Sequence, residues 1–585
     1  MTWDLSKLYS GFEAPEFESD VSAFQALADA LLERARALET GVASLEEMID
    51  DLSRLQSLAI RTFSFVQLTL AADANCAPAL AAYGRLLPTV KRTEEVASAL
   101  SAKLGAADDL EAMIAASPRL TEHAYLLRRM KRDAAHVIDP ALEGVVLKMQ
   151  LTGGSAWEQL QTQLDGNHTV EYTLDGETRT LPLSAVRGMA FSADADVRRA
   201  AYEAELASYP KVEIPMAACL NGIKGEAHTL AALKHYDSVL DMALDTARMD
   251  RATLDALLTA MYESLPMFRR YFRLKARMLG YEGGLKFYDL FAPVGRMGGD
   301  YTPEDAREIL VRELGAFSPR MGRMIARAFD ERWIDMYPRE GKVGGAFCEG
   351  VHPIRQSFVL TNFDGNYASV STLAHELGHA YHDECMTDVP ILMSGYPMPL
   401  AETASIFNET LLARRMLEGA NREARVALLE QMLSDAAQVI VDILSRYIFE
   451  SEVIERRRTE VLTPKALCEI MLDAQRRTYG DGLDPECMHP YMWACKSHYY
   501  STDVHFYNFP YAFGQLFAVG VYRLYEKRGA DFLPDYEKLL RHAGSGDVRE
   551  VAASVGIDVA DAAFWRESLG FFGAMLEELE ALAGD

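Results

Sequence analysis

Residues 375–379 have the sequence His-Glu-Leu-Gly-His, and the fold around the functional site is best predicted outward from this stretch. Because an α-helix has about 3.6 residues per turn, His375 and His379 lie on one helix face if the stretch is helical. Two imidazoles so placed can bind one Zn²⁺, and Glu376 then faces the open side of the metal. Zinc lowers the pKa of a water molecule there, and a carboxylate can take its proton during attack on a carbonyl. The stretch therefore predicts a helix that carries part of a zinc peptidase site.

The flanking sequence supports a helix over residues 370–386. Upstream, residues 361–366 are rich in turn-forming types, and Ser369 or Ser371 can cap the helix that follows. Downstream, the helix should end before Pro390, since the residue that precedes a proline avoids helical geometry. The motif thus lies in the context that its chemistry requires.

A zinc site needs a third protein ligand, and Glu402, 27 residues after His375, is the candidate. We expect it to open a second helix, which follows a loop able to turn the chain back beside the first. Glu409 shares a face with Glu402 and can support the metal site by hydrogen bonding. His382 is interpreted as a neutral structural histidine. The metzincin arrangement is absent, because Cys385 stands where its third histidine would be.

With these residues in place, the chain resembles the M3 metallopeptidases, and most of all their oligoendopeptidase F branch. That family pairs His-Glu-x-x-His with a glutamate ligand at about this distance. The resemblance is carried by the motif and by further segments at 1–9, 344–348, 358–363, 402–405, 497–500 and 506–514. It therefore covers essentially the whole chain.

The resemblance implies a mainly α fold with two helical lobes that enclose a deep substrate channel. Small β elements would lie beside a gluzincin-type His-Glu-x-x-His active site. The intermediate of peptide hydrolysis carries an oxyanion that needs a hydrogen-bond donor. Tyr507 and Tyr511 match the tyrosine pair of the family and are the candidate donors, with His498 as a further one. His505 is an alternative to His498 for the role of the histidine.

A substrate-binding strand is predicted at Gly344, Gly345, Ala346 and Phe347. An extended peptide can pair with an exposed strand edge through main-chain hydrogen bonds, which tolerates many side chains. Glycines would let the two backbones approach closely. An ordinary flexible loop is the alternative interpretation of this segment.

Helical patterns dominate the rest of the chain. Two short β-prone runs flank Asp175-Gly176, which is a strong hairpin signal. The predicted organisation has three parts: a helical N-terminal region (1–112), an oligoendopeptidase F-type subdomain with the hairpin (113–195), and an M3-like catalytic region with the zinc site (196–585).

Composition restricts partners and location. The 585 residues include 59 basic and 86 acidic ones, for a formal charge of −27, which argues against nucleic acid as a partner. No apolar run approaches the roughly 20 residues that cross a bilayer, and no signal region is seen. Seven cysteines are scattered without a CxxC pair, which is typical of reduced thiols in the cytoplasm. The oligomeric state stays open.

The sequence thus predicts a cytoplasmic, zinc-dependent metalloendopeptidase that cleaves internal bonds of short oligopeptides. His375, His379 and Glu402 would hold one Zn²⁺ per chain, and Glu376 would activate the attacking water. A metallocarboxypeptidase on a related scaffold is one alternative, although no motif for a pocket that captures a terminal carboxylate stands out. A peptide-binding protein without activity is the other, although all four of these residues are present.

Overall fold

A computed structural model describes residues 1–295 and 298–584, and 72% of the structure is helical. The α-helices, in chain order, are α1 (Pro15–Ala37), α2 (Val42–Ala72), α3 (Ala77–Gly105), α4 (Leu110–Ala116), α5 (Pro118–Glu122), α6 (Ala124–Asp133), α7 (Pro140–Thr152), α8 (Gly154–Gly166), α9 (Leu183–Gly188), α10 (Ala195–Ser208), α11 (Glu213–Leu233), α12 (Val239–Thr246), α13 (Arg251–Met278), α14 (Pro303–Phe317), α15 (Pro319–Asp330), α16 (Tyr367–Met386), α17 (Met398–Ala401), α18 (Thr403–Gly419), α19 (Arg422–Ala437), α20 (Ile443–Arg457), α21 (Pro464–Tyr479), α22 (Phe509–Arg528), α23 (Leu533–Arg541), α24 (Val548–Ala553) and α25 (Ala562–Gly584). The strands are β1 (Thr169–Leu174), β2 (Glu177–Pro182), β3 (Ile334–Asp335), β4 (Phe347–Val351) and β5 (Gln356–Leu360). The predicted mainly α fold with small β elements is confirmed.

The chain forms two compact units, each built from segments that are distant in sequence. The first unit comprises Met1–Val137, Gly298–Met416 and Leu524–Ile557. The second unit comprises Ile138–Met297, Leu417–Arg523 and Asp558–Asp585. The sequence divisions at 1–112, 113–195 and 196–585 stay predictions.

In the first unit, a three-stranded sheet leads into the motif helix. Its order is β3-β5-β4, with β5 parallel to β3 and antiparallel to β4. Every residue of β5 is buried, as expected for a central strand, whereas β4 lies at the edge. The N-terminal Trp3 packs behind this sheet, with its ring 6.2 Å from that of Phe358 and 6.3 Å from that of Phe347. The opening residues of the chain therefore support the strands beside the site.

The second unit contains the predicted hairpin. β1 pairs with β2 in antiparallel register from Thr169↔Pro182 to Leu174↔Glu177. Asp175 and Gly176 have φ of 52° and 80°, as a two-residue hairpin turn requires. The hairpin prediction is confirmed.

The helices of the described residues range from single turns to the 31 residues of α2. None of them is both long enough and apolar enough to cross a bilayer.

Candidate metal centre

The motif helix α16 begins earlier than predicted. Its cap is Asn366, whose side chain accepts a hydrogen bond from the Ser369 amide at 2.9 Å. The predicted caps, Ser369 and Ser371, lie inside the helix, because it begins at Tyr367; the Ser369 hydroxyl donates to Asp364. The helix ends at Met386, as expected.

Glu402 lies between two consecutive helices, α17 and α18, at a point where the chain contacts the motif helix. It was predicted to open a helix, but it follows the single turn of α17 and precedes α18. Gly378 allows this approach, since a Cβ there would lie 2.6 Å from the Ala404 carbonyl oxygen and 2.6 Å from the Ser405 Cα. Asn408 joins the same helices by donating to the Ala374 carbonyl at 3.2 Å. The glycine of the motif therefore serves close helix packing.

Three potential ligand atoms form a nearly equilateral triangle. The Nε2 atoms of His375 and His379 are 3.3 Å apart. Glu402 Oε2 lies 3.2 Å from His375 Nε2 and 3.4 Å from His379 Nε2. A tetrahedral zinc ion with bonds of about 2.0–2.1 Å keeps its ligand atoms about 3.3–3.4 Å apart. The residues present therefore fit this ion. Among the described residues, no other group of three histidine, cysteine or carboxylate side chains brings its ligand atoms within 4.8 Å of one another.

Hydrogen bonds orient the three side chains. Glu409 accepts at 3.1 Å from Nδ1 of His375, which turns the Nε2 lone pair of that ring toward the centre of the triangle. The Ser405 hydroxyl donates to Glu402 Oε2 at 2.7 Å. These contacts hold the donor atoms in place from behind.

The electrostatic setting separates the two glutamates nearest the histidines. Burial alone would raise the pKa of Glu402, but when the two imidazoles are protonated their hydrogen bonds to its carboxylate outweigh burial and hold that pKa well below its usual range. Burial raises the pKa of Glu376, which is 5% exposed, while the two imidazoles oppose part of that rise. Glu402 is thus suited to remain an anion and Glu376 to exchange a proton.

The histidines and Glu376 line a cavity of about 610 Å³ in the first unit. The edge strand β4 and the preceding Ala346 form one wall of the cavity. The predicted strand at 344–347 is only partly correct, since Gly344 and Gly345 form a bend, Ala346 follows it, and β4 begins at Phe347. Asn362 fixes this bend by donating to the carbonyls of Val343 and Gly345 at 3.1 and 2.9 Å.

Asp383 also lines this cavity, and the sequence prediction missed it. It accepts a 2.8 Å hydrogen bond from the Ser357 hydroxyl, and burial raises its pKa to about 6. Its position four residues after His379, on the same helix face, was the available signal. His382 behaves as predicted for a structural histidine, since it is buried with Nε2 3.1 Å from the Leu540 carbonyl oxygen.

The candidate donors lie together in the second unit. The ring of His498 stacks 5.4 Å from that of Tyr507 and lies 6.1 Å from that of Tyr511. The two phenol rings are 5.3 Å apart. His505 is buried elsewhere, with Nδ1 3.4 Å from Lys224 Nζ. The structure therefore groups His498, and not His505, with the tyrosines.

Comparison with known proteins places this geometry in a family. The model of peptidase family M3 matches residues 189–571, and that of the oligopeptidase F N-terminal region matches residues 106–168. The chain belongs to peptidase family M3. The predicted resemblance and the predicted class, a metalloendopeptidase acting on oligopeptides, are thereby confirmed.

Individual M3 relatives agree with this membership. Group B oligopeptidase PepB of Streptococcus agalactiae is 27% identical over 482 residues, which are 81% of this chain and 79% of the relative. An oligoendopeptidase F homolog of Lactococcus lactis is 29% identical over 393 residues, 66% of this chain and 64% of the relative. The solved oligoendopeptidase F of Enterococcus faecium covers 97% of this chain and 99% of its own, with TM-score 0.70 and 20% identity. A solved structure from Chlamydophila abortus covers 99% and 98%, with TM-score 0.86 and 22% identity, so these two likenesses concern the fold.

Proposed function

We propose that this M3 peptidase is a zinc enzyme in which His375, His379 and Glu402 hold one Zn²⁺ per chain. The observation that carries the proposal is the triangle of ligand atoms with sides of 3.2, 3.3 and 3.4 Å. A set of two imidazoles and one carboxylate suits zinc, and it leaves a position open for chemistry. When bound, zinc supplies Lewis-acid polarisation and a lowered pKa of water.

Glu376 is the proposed general base. Its side chain lines the same cavity as His375 and His379. Burial raises the pKa of its carboxyl toward the range in which a group both accepts and returns protons. It would take a proton from the attacking water and later deliver one to the leaving amine. Asp383 is held by Ser357 and has no such position in the motif, so we assign it no chemical step.

Tyr507 and Tyr511 are the proposed donors to the oxyanion, with His498 beside them. Their mutual ring contacts and their partial exposure support a shared surface from which two hydroxyls can donate. Burial lowers the pKa of His498, aided by Arg446 and Lys496, which favours a neutral ring that donates from one nitrogen.

The edge strand β4 is the proposed platform for the substrate backbone. It pairs with β5 on one side, and its residues from Phe347 to Val351 line the cavity that contains the motif. Main-chain pairing at such an edge suits oligopeptides of varied sequence. We further propose that the enzyme acts in the cytoplasm and does not bind nucleic acid, since its cysteines are unpaired and its charge is −27.

A length series of internally quenched peptides tests the proposal. We expect cleavage at internal bonds, its loss on dialysis against a chelator, and its recovery on addition of zinc. Stepwise release of residues from the C-terminus would favour the carboxypeptidase alternative. Activity that survives complete metal removal would contradict the zinc site.

A further inference from the structure

The buried carboxylate of Glu450 binds both sides of the loop that presents Tyr507. Glu450 lies on α20 in the second unit and is 1% exposed. Its Oε1 accepts from the backbone amide of Phe506 at 3.1 Å and from Lys224 Nζ at 2.7 Å. Its Oε2 accepts from Asn508 Nδ2 at 2.8 Å. Tyr507 is therefore flanked on both sides by residues that are bonded to one carboxylate.

The loop adopts a conformation that needs such support. Phe506 has φ of 56°, in the left-handed region that non-glycine residues rarely occupy. The buried Asn508 begins the turn into α22, with its Oδ1 accepting from the Phe509 amide at 2.6 Å. Tyr507 itself is half-buried, while its two neighbours are buried. The buried flanks thus fix the direction in which the phenol leaves the backbone.

An ionised carboxylate is the group that this position requires. Lys224 is fully buried, and its ammonium needs a negative partner there. His505, whose Nδ1 lies 3.4 Å from Lys224 Nζ, cannot supply one, because an imidazole ring is either neutral or positively charged. An amide in place of the carboxylate has only one acceptor oxygen, so its NH₂ group would face either Asn508 Nδ2 or the donors of Phe506 and Lys224, and one of these sets of contacts would be lost.

We propose that Glu450 is a positioning residue for peptide hydrolysis, which holds the Tyr507 phenol in its place beside the rings of His498 and Tyr511. This inference rests on the proposed donor role of Tyr507. It differs from that role, because Glu450 touches no substrate and acts only through the backbone of residues 506–508. Loss of the carboxylate should therefore reduce the rate of reaction and not the binding of peptide.

Glu450→Gln is the principal test, with kcat and KM measured on an internally quenched peptide. We expect kcat to fall about tenfold while KM changes less than twofold. In a Tyr507→Phe background, Glu450→Gln should lower kcat by less than a further twofold, because the hydroxyl that it positions is already gone. An equal loss in both backgrounds, or an unchanged kcat in folded Glu450→Gln, would overturn the inference.

If Glu450→Gln does not fold, a second variant that moves the carboxylate from position 450 to position 508 tests the same inference. The double variant Glu450→Gln/Asn508→Asp reverses donor and acceptor between these two positions and returns a negative charge near Lys224. We expect it to fold, by its thermal midpoint, and to have kcat within about threefold of wild type. A folded exchange variant whose kcat stays tenfold low would count against the inference.

A second buried ion pair provides the matched control. Glu430 accepts from Lys275 at 2.7 Å and from the Tyr271 hydroxyl at 2.7 Å, in the same unit. Glu430→Gln should lower the thermal midpoint but leave kcat unchanged, whereas a loss of kcat equal to that of Glu450→Gln would indicate a general effect of destabilisation. An unchanged kcat in Tyr507→Phe alone would contradict the proposed donor role and not the packing around Glu450.

Discussion

Gly378→Ala changes a residue that binds nothing, yet it should weaken the metal site. The new Cβ would lie 2.6 Å from two backbone atoms, of Ala404 and Ser405, where ordinary contact begins at 3.4 Å. Backbone atoms cannot rotate away, so α16 and the turn after Glu402 must separate by about 0.8 Å, the difference between these distances. If Glu402 moves with this turn, its Oε2 would lie up to about 4 Å from His375 Nε2 instead of 3.2 Å.

The expected cost falls on metal binding more than on stability. Overpacking costs about 1–3 kcal/mol, and alanine recovers about 1 kcal/mol in helix propensity. A displaced carboxylate ligand should lower zinc affinity by at least tenfold, as loss of a group that merely orients a ligand does. We expect competition with a zinc chelator to show this loss, and kcat/KM to fall by about tenfold or more even with excess zinc.

Gly84→Ala is the control, because Gly84 lies inside α3 of the same unit and a Cβ there meets nothing within 4 Å. It should leave zinc affinity and kcat/KM unchanged. If Gly378→Ala retains zinc as tightly as wild type, the close approach of these helices does not set the position of Glu402.

Three other substitutions test separate parts of the site and its scaffold. Glu409→Ala removes the partner of His375 Nδ1 and should lower zinc affinity about 10–100-fold in the same competition assay; unchanged affinity would exclude that support. Tyr511→Phe should lower kcat with little change in KM, and a rise in KM alone would contradict a donor used in the transition state. Burial would raise the pKa of Glu205, but His489 and Arg187 outweigh burial and lower it from 4.5 to about 2. The ionised carboxylate therefore contributes on the order of 3 kcal/mol to the free energy of unfolding above pH 4.5, and this contribution is lost as the pH falls toward 2. Glu205→Gln should therefore lower the thermal midpoint more at pH 7 than at pH 3, and an equal difference at both would contradict this.

Local sequence signals predicted the elements whose conformation is locally determined. The Asp175-Gly176 turn has the positive φ values that its residue types favour, and the strands on both sides follow from it. The motif helix was also predicted, but its start was not, because Ser369 and Ser371 were expected as caps and the structure uses Asn366. Asn366 caps the helix by accepting from the Ser369 amide, while the Ser369 hydroxyl donates to Asp364.

Contacts between distant residues could not be predicted in the same way. Gly378 looked like a weak point of the motif helix, whereas it permits the approach of the turn at Ala404. The choice between His498 and His505 depends on which ring meets the tyrosines, and His505 instead contacts Lys224, which pairs with Glu450 226 residues away. Neither residue of that pair carries a local pattern that indicates the other.

The proposed site divides metal binding and proton transfer between different residues, with zinc held by His375, His379 and Glu402 and the proton moved by Glu376. Glu376→Gln separates the two functions in a single protein, because the substituted side chain is not one of the three ligands. Zinc content and turnover of an internally quenched peptide should be measured on the same preparation. We predict one zinc per chain, as in wild type, with turnover about 10²–10⁴-fold lower. Turnover close to that of wild type would contradict the role of Glu376 in proton transfer.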